Sequence, residues 1–466
     1  MRLRNENKKE SQNRISRRRR AFTLIEMLVT VGVTLLMVFA VVSAFEWVGN
    51  SARDGRSLME MSGHLRGVEM LLQGDLDNIT VPVRPWSSTS SGLGYFDYIE
   101  GPEPFADTNG NGIVDAGEYY FDLNANGTWE VNLTDIPAAN AWTMLGDLGD
   151  VVSFTIRRSE PFVGMLEREP FVDVNGNGAE DPGESVDLNG DGQRTMSPVQ
   201  FNSNVAEVTW WVTFDDLNGD GQLQENEMQS RVLRRRVVLV RPDLDVSSFA
   251  VAGFFQRNDI SAHPVTVNNQ VRMASNSLSD LTQRLARFGH DSRTWPPNSA
   301  QYNMLSHFAL IGPRMGEDVV MSNVLAFDVR AWDPTAEVRK TTSGEAVFPG
   351  DPGWALSAGA VIGRGAFVDL NYFGQVVPNY FFAGPPDPKS GKNWPTYDTG
   401  STGDLGPNAN DGLDNNGDGM VDDPSERAKA VPYPYPLRGL QIRIRAYDPD
   451  TRQVRQSSVV AEFVPE

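Results

Sequence analysis

The run Arg17-Arg18-Arg19-Arg20-Ala21-Phe22-Thr23-Leu24-Ile25-Glu26-Met27-Leu28 decides the architecture, because it joins a block of positive charge to an uninterrupted apolar stretch. From Met27 to Phe45 there are 19 residues without a charge. At 1.5 Å per residue this makes about 29 Å of helix, close to the thickness of a bilayer's hydrocarbon layer. The four arginines set the expected orientation, with the leader in the cytoplasm and the body outside. An ordinary secretory signal would carry its small-residue cleavage site after the apolar stretch; here the small residue, Ala21, precedes it. One carboxylate, Glu26, sits at the edge of the run, where such a group is costly and usually functional.

Beyond the apolar run, Leu58, Met61, Leu65, Val68 and Leu72 recur at steps of three and four, with Leu76 as a last contact. That stripe predicts a helix packed on its own domain, with Arg53, Asp54, Arg56, Glu60, Arg66 and Glu69 off the stripe. Gly49, Gly55, Gly63, Gly67 and Gly74 each weaken a helix by up to about 1 kcal/mol relative to Ala, so a kinked or partly irregular helix is expected. Asn78 to Pro85 should end it, with Pro82 and Pro85 as stops. The rest reads mostly as strands, at Val151–Arg158, Val205–Phe214, Arg231–Val240, Val324–Trp332, Ala366–Phe373, Leu437–Tyr447 and Ser458–Val464. Leu278–Phe288 is the one clear helix candidate, with Asn276 and Ser277 as caps. The expected fold class is α+β: a long N-terminal transmembrane and stalk helix, then an antiparallel β-rich domain with large insertions. The expected division is a leader at 1–21, a membrane helix at 22–48, a stalk at 49–78 and a domain at 79–466, with insertions at about 100–200 and 380–430.

The 466 residues carry a net charge of −20, yet residues 1–21 hold nine Lys/Arg against Glu6 and Glu10, so the body is strongly acidic. An acidic body argues against nucleic acid as a partner. There is no cysteine, which excludes disulfides, thiolate metal sites and thiol catalysis together. An exported domain without disulfides needs another source of order.

A repeated hexad, D-x-[DN]-x-[DN]-G, supplies a candidate. It starts at Asp107, Asp122, Asp173, Asp187, Asp216 and Asp414. Each copy is the first half of an EF-hand-type calcium loop, with oxygen donors at positions 1, 3 and 5 and a glycine at position 6 for the sharp turn. The donors are Asp107, Asn109 and Asn111; Asp122, Asn124 and Asn126; Asp173, Asn175 and Asn177; Asp187, Asn189 and Asp191; Asp216, Asn218 and Asp220; and Asp414, Asn416 and Asp418. Three loops carry a carboxylate at position 12, namely Glu118, Glu184 and Glu227. Position 9 adds Asp115, Asp181, Glu130 and Asp422 in the loops that begin at Asp107, Asp173, Asp122 and Asp414. The Asp187 loop has Pro198 at position 12 and is incomplete unless a neighbour helps. A single Asx-Gly segment is also an ordinary solvated turn, but six copies exceed what chance supplies. Structural calcium is the expected cofactor.

Catalytic patterns are missing from the sequence. His64, His263, His290 and His307 are scattered, and there is no P-loop, no GxSxG elbow and no Cys nucleophile. Trp210 and Trp211 should split between the two faces of one strand. No enzyme is expected.

The motif Phe22-Thr23-Leu24-Ile25-Glu26-Met27-Leu28 resembles the N-terminus of the type IV pilin family. The resemblance implies cleavage between Ala21 and Phe22 by a prepilin peptidase, methylation of the new N-terminus, and Glu26 as the fifth mature residue. Glu26 would then neutralise the Phe22 ammonium of its own or a neighbouring subunit, an assembly role. The departure is Ala21, since the family almost always has Gly before the cut. The body is similar to the J-type minor pseudopilin of type II secretion systems. This likeness is carried by Leu71-Leu72-Gln73-Gly74-Asp75-Leu76, Val208-Thr209-Trp210-Trp211-Val212, Arg231-Val232-Leu233-Arg234-Arg235-Arg236 and Leu325-Ala326-Phe327-Asp328-Val329-Arg330-Ala331-Trp332-Asp333. The K-type tip subunit is also large but typically lacks the mature fifth-position Glu that Glu26 supplies. The implied protein is a single-pass inner-membrane subunit with a periplasmic domain, joining other pilin-like subunits at a filament tip and contacting secreted substrates. The alternative is a calcium-dependent adhesin or binding module displayed on a type IV pilus.

Overall fold

The computed structural model describes residues 23–83, 92–99, 150–172, 181, 183–184, 186–214, 231–267, 269–290, 292–294, 310, 312–349, 354, 357, 360–370, 396–399, 437–449 and 451–463. It divides into two compact units, Met1–Met59 and Glu60–Glu466. The first helix, α1, runs without a break from Leu24 to Leu76.

In the first unit the helix is long and apolar enough to cross a membrane. Its large apolar side chains, from Leu24 through Phe39 to Trp47 and Val48, are exposed. Two threonines among them are satisfied locally. Thr30 Oγ1 donates to the Glu26 carbonyl at 2.6 Å, and Thr34 Oγ1 donates to the Thr30 carbonyl at 2.7 Å.

The partly irregular helix expected from the glycines is not observed: α1 is helical throughout Leu24–Leu76. A Cβ at Gly49, Gly55, Gly63 or Gly67 would meet nothing within 4 Å, so these residues sit on open faces of the helix. Each costs its backbone entropy, but no proline or inserted side chain interrupts the ladder before Pro82. In the second unit Met61, Leu65, Val68, Leu72 and Leu76 are buried, as the stripe requires. The helix stops where Asp77 N–H donates to Gln73 O at 2.9 Å and Asn78 Nδ2 donates to Gly74 O at 2.7 Å.

The second unit is built on antiparallel sheets. Strands are β1 (Phe96–Ile99), β2 (Val151–Leu166), β3 (Val199–Phe214), β4 (Arg231–Leu239), β5 (Ala262–Val267), β6 (Gln270–Ser275) and β7 (Val319–Ser322). They continue as β8 (Val324–Lys340), β9 (Ala346–Val347), β10 (Val361–Val368), β11 (Thr396–Asp398), β12 (Gly439–Asp448) and β13 (Gln453–Glu462). One sheet has the order β11-β1-β2-β3-β4-β7, and a second has β10-β8-β12-β13 with β9 on β8. Strands β5 and β6 form a separate hairpin. The fold is therefore α+β. The strands expected from alternation coincide with β2, β3, β4, β8, β10, β12 and β13 in their central parts; Val240, Asp369, Leu370, Leu437, Arg438 and Phe463 fall just beyond the strand ends, and residues 371–373 and 464 lie outside the described residues.

Both faces of the six-stranded sheet are covered. Trp210 contacts the end of α1 on one face, and Trp211 belongs to an aromatic core with Phe249, Phe254, Phe255 and Phe288 on the other. The chain crosses from β7 to β8 through Asn323 at φ 55°, a left-handed position that asparagine tolerates. The sheets are tied by Val329 of β8, whose N–H donates to Asp150 Oδ2 at 2.6 Å and whose carbonyl accepts the Tyr98 hydroxyl.

The Leu278–Phe288 helix is a correction. These residues form two short 3-10 turns, Asp280–Thr282 and Arg284–Ala286, separated by extended Gln283 (φ −89°, ψ 129°). The start signal is genuine: the Ser277 hydroxyl and N–H both donate to Asp280 Oδ2, at 2.7 and 2.8 Å. What overrides it is tertiary. Arg284 and Arg287 turn inward onto buried Asp97 and Asp398, and the chain follows those ion pairs in two short turns.

Candidate functional site

The N-terminal turn of α1 is closed by Glu26. Its Oε2 accepts the Thr23 N–H at 2.9 Å and the Thr23 hydroxyl at 3.0 Å, while Glu26 N–H donates to Thr23 Oγ1 at 3.2 Å. This is a capping box, in which an acidic side chain also meets the positive end of the helix dipole. The processing residues Ala21 and Phe22 lie outside the described residues.

The other end of the helix is held by a residue that sequence reasoning did not single out. Asp75, 0% exposed, accepts from Arg158 Nη2 at 2.6 Å, Arg235 Nε at 2.7 Å, Arg235 Nη2 at 2.9 Å and Trp210 Nε1 at 2.9 Å. An acid in the last turn of a helix opposes the dipole, so the contacts from β2, β3 and β4 must outweigh that penalty. Three of the sequence segments named above each supply one partner: Asp75 lies in the first, Trp210 centres the second and Arg235 lies in the third. The sequence displayed the parts; only the fold joins them. A second tie runs from Ser457 Oγ on β13 to Glu69 Oε2 at 2.7 Å.

Of the hexads, the stretch around Asp181 and Asp187 is described. Glu184, at position 12 of the Asp173 loop, is buried, and its Oε2 accepts the Asp181 N–H at 2.8 Å. That loop is closed by Val172 N–H to Glu184 O at 2.8 Å and Val186 N–H to Pro170 O at 3.2 Å. In the next loop Asp187 Oδ1 accepts Gly190 N–H at 2.6 Å and Oδ2 accepts Gly192 N–H at 2.7 Å. The Gly192 amide, with those of Gly190, Asp191 and Asn189, holds the Asp187 carboxyl below its usual range. Asn189 and Asp191 complete the turn.

The neighbour that completes this loop is Glu169, which carried no motif signal. It is fully buried, with Oε1 accepting the N–H groups of Leu188 (2.7 Å) and Asn189 (3.1 Å) and Oε2 that of Thr195 (2.6 Å). Its oxygens serve backbone amides, as do both Asp187 oxygens and Asn189 Oδ1; the side-chain donors of the loop are Asp187, Asn189 and Asp191, about half of the six to eight oxygens a calcium ion takes. Among the described residues no group of three or more His, Asp or Glu side chains is placed to hold a metal. Asp107, Asn109, Asn111, Asp115, Glu118, Asp122, Asn124, Asn126 and Glu130 lie outside the described residues, as do Asp173, Asn175 and Asn177. So do Asp216, Asn218, Asp220, Glu227, Asp414, Asn416, Asp418 and Asp422.

A buried charge network under the six-stranded sheet is a further polar feature. Glu207 accepts from Tyr95 Oη (2.7 Å), Ser261 Oγ (2.7 Å) and Phe288 N–H (2.8 Å), and burial pushes its carboxyl up despite these bonds. Asp97 faces Arg284 Nη2 at 3.0 Å, Arg287 Nη1 at 3.4 Å and His290 Nε2 at 3.3 Å. Burial pushes Asp97 up, but Arg284, His290 and Arg287 outweigh it and hold it at about 2. Arg287 also binds both oxygens of Asp398 at 2.9 Å. The network fixes the 278–290 segment and β11 to the sheet. No family model, no curated protein and no solved structure matches this chain.

Proposed function

We propose that the chain is a minor pseudopilin of a type II secretion or related type IV filament system, a structural subunit at the filament tip rather than an enzyme. The observation that carries this is one uninterrupted helix with two contrasting ends. Its first half is apolar and exposed, with a single carboxylate at the start; its last turns are locked into an antiparallel sheet through Asp75. Such a helix serves both as membrane anchor and as assembly element. A prepilin peptidase would cut between Ala21 and Phe22, and Glu26 would exchange its Thr23 contacts for the new N-terminal ammonium. The domain would face the periplasm.

The hexad loops would take calcium as a structural cofactor through Asp, Asn and Glu oxygens. The ion would offset the repulsion among clustered carboxylates and order the insertions between the strands. The test of the partner class is affinity capture with the full-length chain from detergent-solubilised membranes. Recovery of other pilin-like subunits supports a filament-tip role. Their absence, with binding to cell-surface or matrix material instead, would move the assignment to an adhesin.

A further inference from the structure

The Asp187 loop holds a chemistry that neither assembly nor cation binding uses. All eight Asn-Gly dipeptides of the chain fall inside the hexads, and Asn189-Gly190 lies in the described part of them. A glycine after asparagine leaves the backbone nitrogen unshielded, which makes this dipeptide prone to succinimide formation. For that reaction the Gly190 amide must lose its proton and reach Asn189 Cγ. The closed loop opposes both steps. Gly190 N–H is donated to Asp187 Oδ1 at 2.6 Å, and an anionic acceptor disfavours loss of that proton. The Asn189 side chain is fixed at both atoms: Oδ1 accepts Asp191 N–H at 2.9 Å, while Nδ2 donates to Asp191 Oδ2 at 3.1 Å and Thr195 Oγ1 at 2.8 Å. Both residues are exposed to water, while the loop backbone is anchored below on Glu169.

We propose that Asn189 is a modification site gated by this turn, protected from deamidation while the Asp187 loop is closed and reactive when it opens. On opening, the Gly190 nitrogen attacks Asn189 Cγ, the bond from Cγ to the side-chain nitrogen breaks, and ammonia leaves. Water then opens the succinimide to aspartate or isoaspartate. The aspartate product places a third carboxylate in the hexad beside Asp187 and Asp191. The isoaspartate product adds a methylene to the backbone and undoes the turn. An exported loop would thus record the time it has spent open.

The test follows Asn189 by peptide mass mapping that separates aspartate from isoaspartate. The full-length chain in detergent is incubated at mildly alkaline pH, with calcium and, in parallel, with chelator. The same chain unfolded in urea gives the ungated rate. The native chain should deamidate at Asn189 about tenfold or more slowly than the unfolded chain, as local opening gates the reaction. Asp187→Ala should bring the native rate most of the way to the unfolded one, and Thr195→Val part of the way. If Asp187→Ala loses its global fold, Thr195→Val decides. Protection with chelator supports the gate as a hydrogen-bonded device, and protection with calcium alone supports a cation-closed gate. Equal native and unfolded rates in both conditions, or acceleration in neither variant, would overturn the proposal.

Discussion

Asp75 shows how much one side chain can determine. Its carboxylate is fully buried and takes four hydrogen bonds from three strands. Asp75→Ala would leave the Arg158 and Arg235 cations and the Trp210 indole N–H facing a cavity. Breaking one side of a buried pair costs about 3–5 kcal/mol, so urea unfolding should show a loss of that order. A loss under about 1 kcal/mol, in the range of surface pairs, would mean that the clamp is incidental. Asp97 makes a pH prediction. Its folded value of about 2 lies below the ordinary 3.8, so its stabilising contribution is fully present above pH ~4 and disappears as pH falls through about 2. The stability gap between wild type and Asp97→Asn should therefore narrow across that window. A gap that is constant from pH 5 to 2 would contradict the pairing. Glu207 is shifted the other way by burial, so its contribution to stability grows as pH falls and partly masks the loss in wild type; it cancels in the comparison.

At the scale of elements, periodic patterns were legible and compensated ones were not. The stripe from Leu58 to Leu76 was readable because a helix docked on a sheet needs apolar contacts at steps of three and four, and the structure buries it from Met61 onward, with Leu58 half-buried. The core strands showed themselves by alternation. The 278–288 segment misled because its caps and spacing are helical, whereas Arg284 and Arg287 are drawn to acids on β1 and β11, distant in sequence. The hairpin of β5 and β6 went unread because β6 carries only Val271 as a β-branched residue, although Asn269 at φ 61° marks the turn. Glu169 and Asp75 had no signal, since a single acid gains meaning only from what folds against it. The open glycines of α1 give an element-scale prediction. Gly63→Ala and Gly67→Ala meet nothing within 4 Å and should each stabilise the isolated chain by up to about 1 kcal/mol, read by thermal unfolding. Destabilisation by either would show that the built space is not open. If the same variants block filament incorporation while raising stability, that face of the helix is where a neighbour packs.

For the molecule as a whole, the insertions follow the strand connections. The hexads at Asp107 and Asp122 lie between β1 and β2, those at Asp173 and Asp187 between β2 and β3, that at Asp216 between β3 and β4, and that at Asp414 between β11 and β12. In sequence, every hexad therefore falls between two strands and none within one. Calcium should therefore raise the melting temperature of the full chain in detergent and chelator should lower it, chiefly through the loops. Identical melting in both would remove calcium from the account. The α+β architecture was legible from the apolar run, the stripe and the strands; the locking of helix to sheet through Asp75 was not.

The most direct test of the central claim concerns the N-terminus. The full-length chain is coexpressed with a prepilin peptidase, and its mature N-terminus is determined by mass spectrometry. Loss of residues 1–21 and a methylated Phe22 are the expected result. Full-length chain persisting beside a correctly processed control pilin would contradict it.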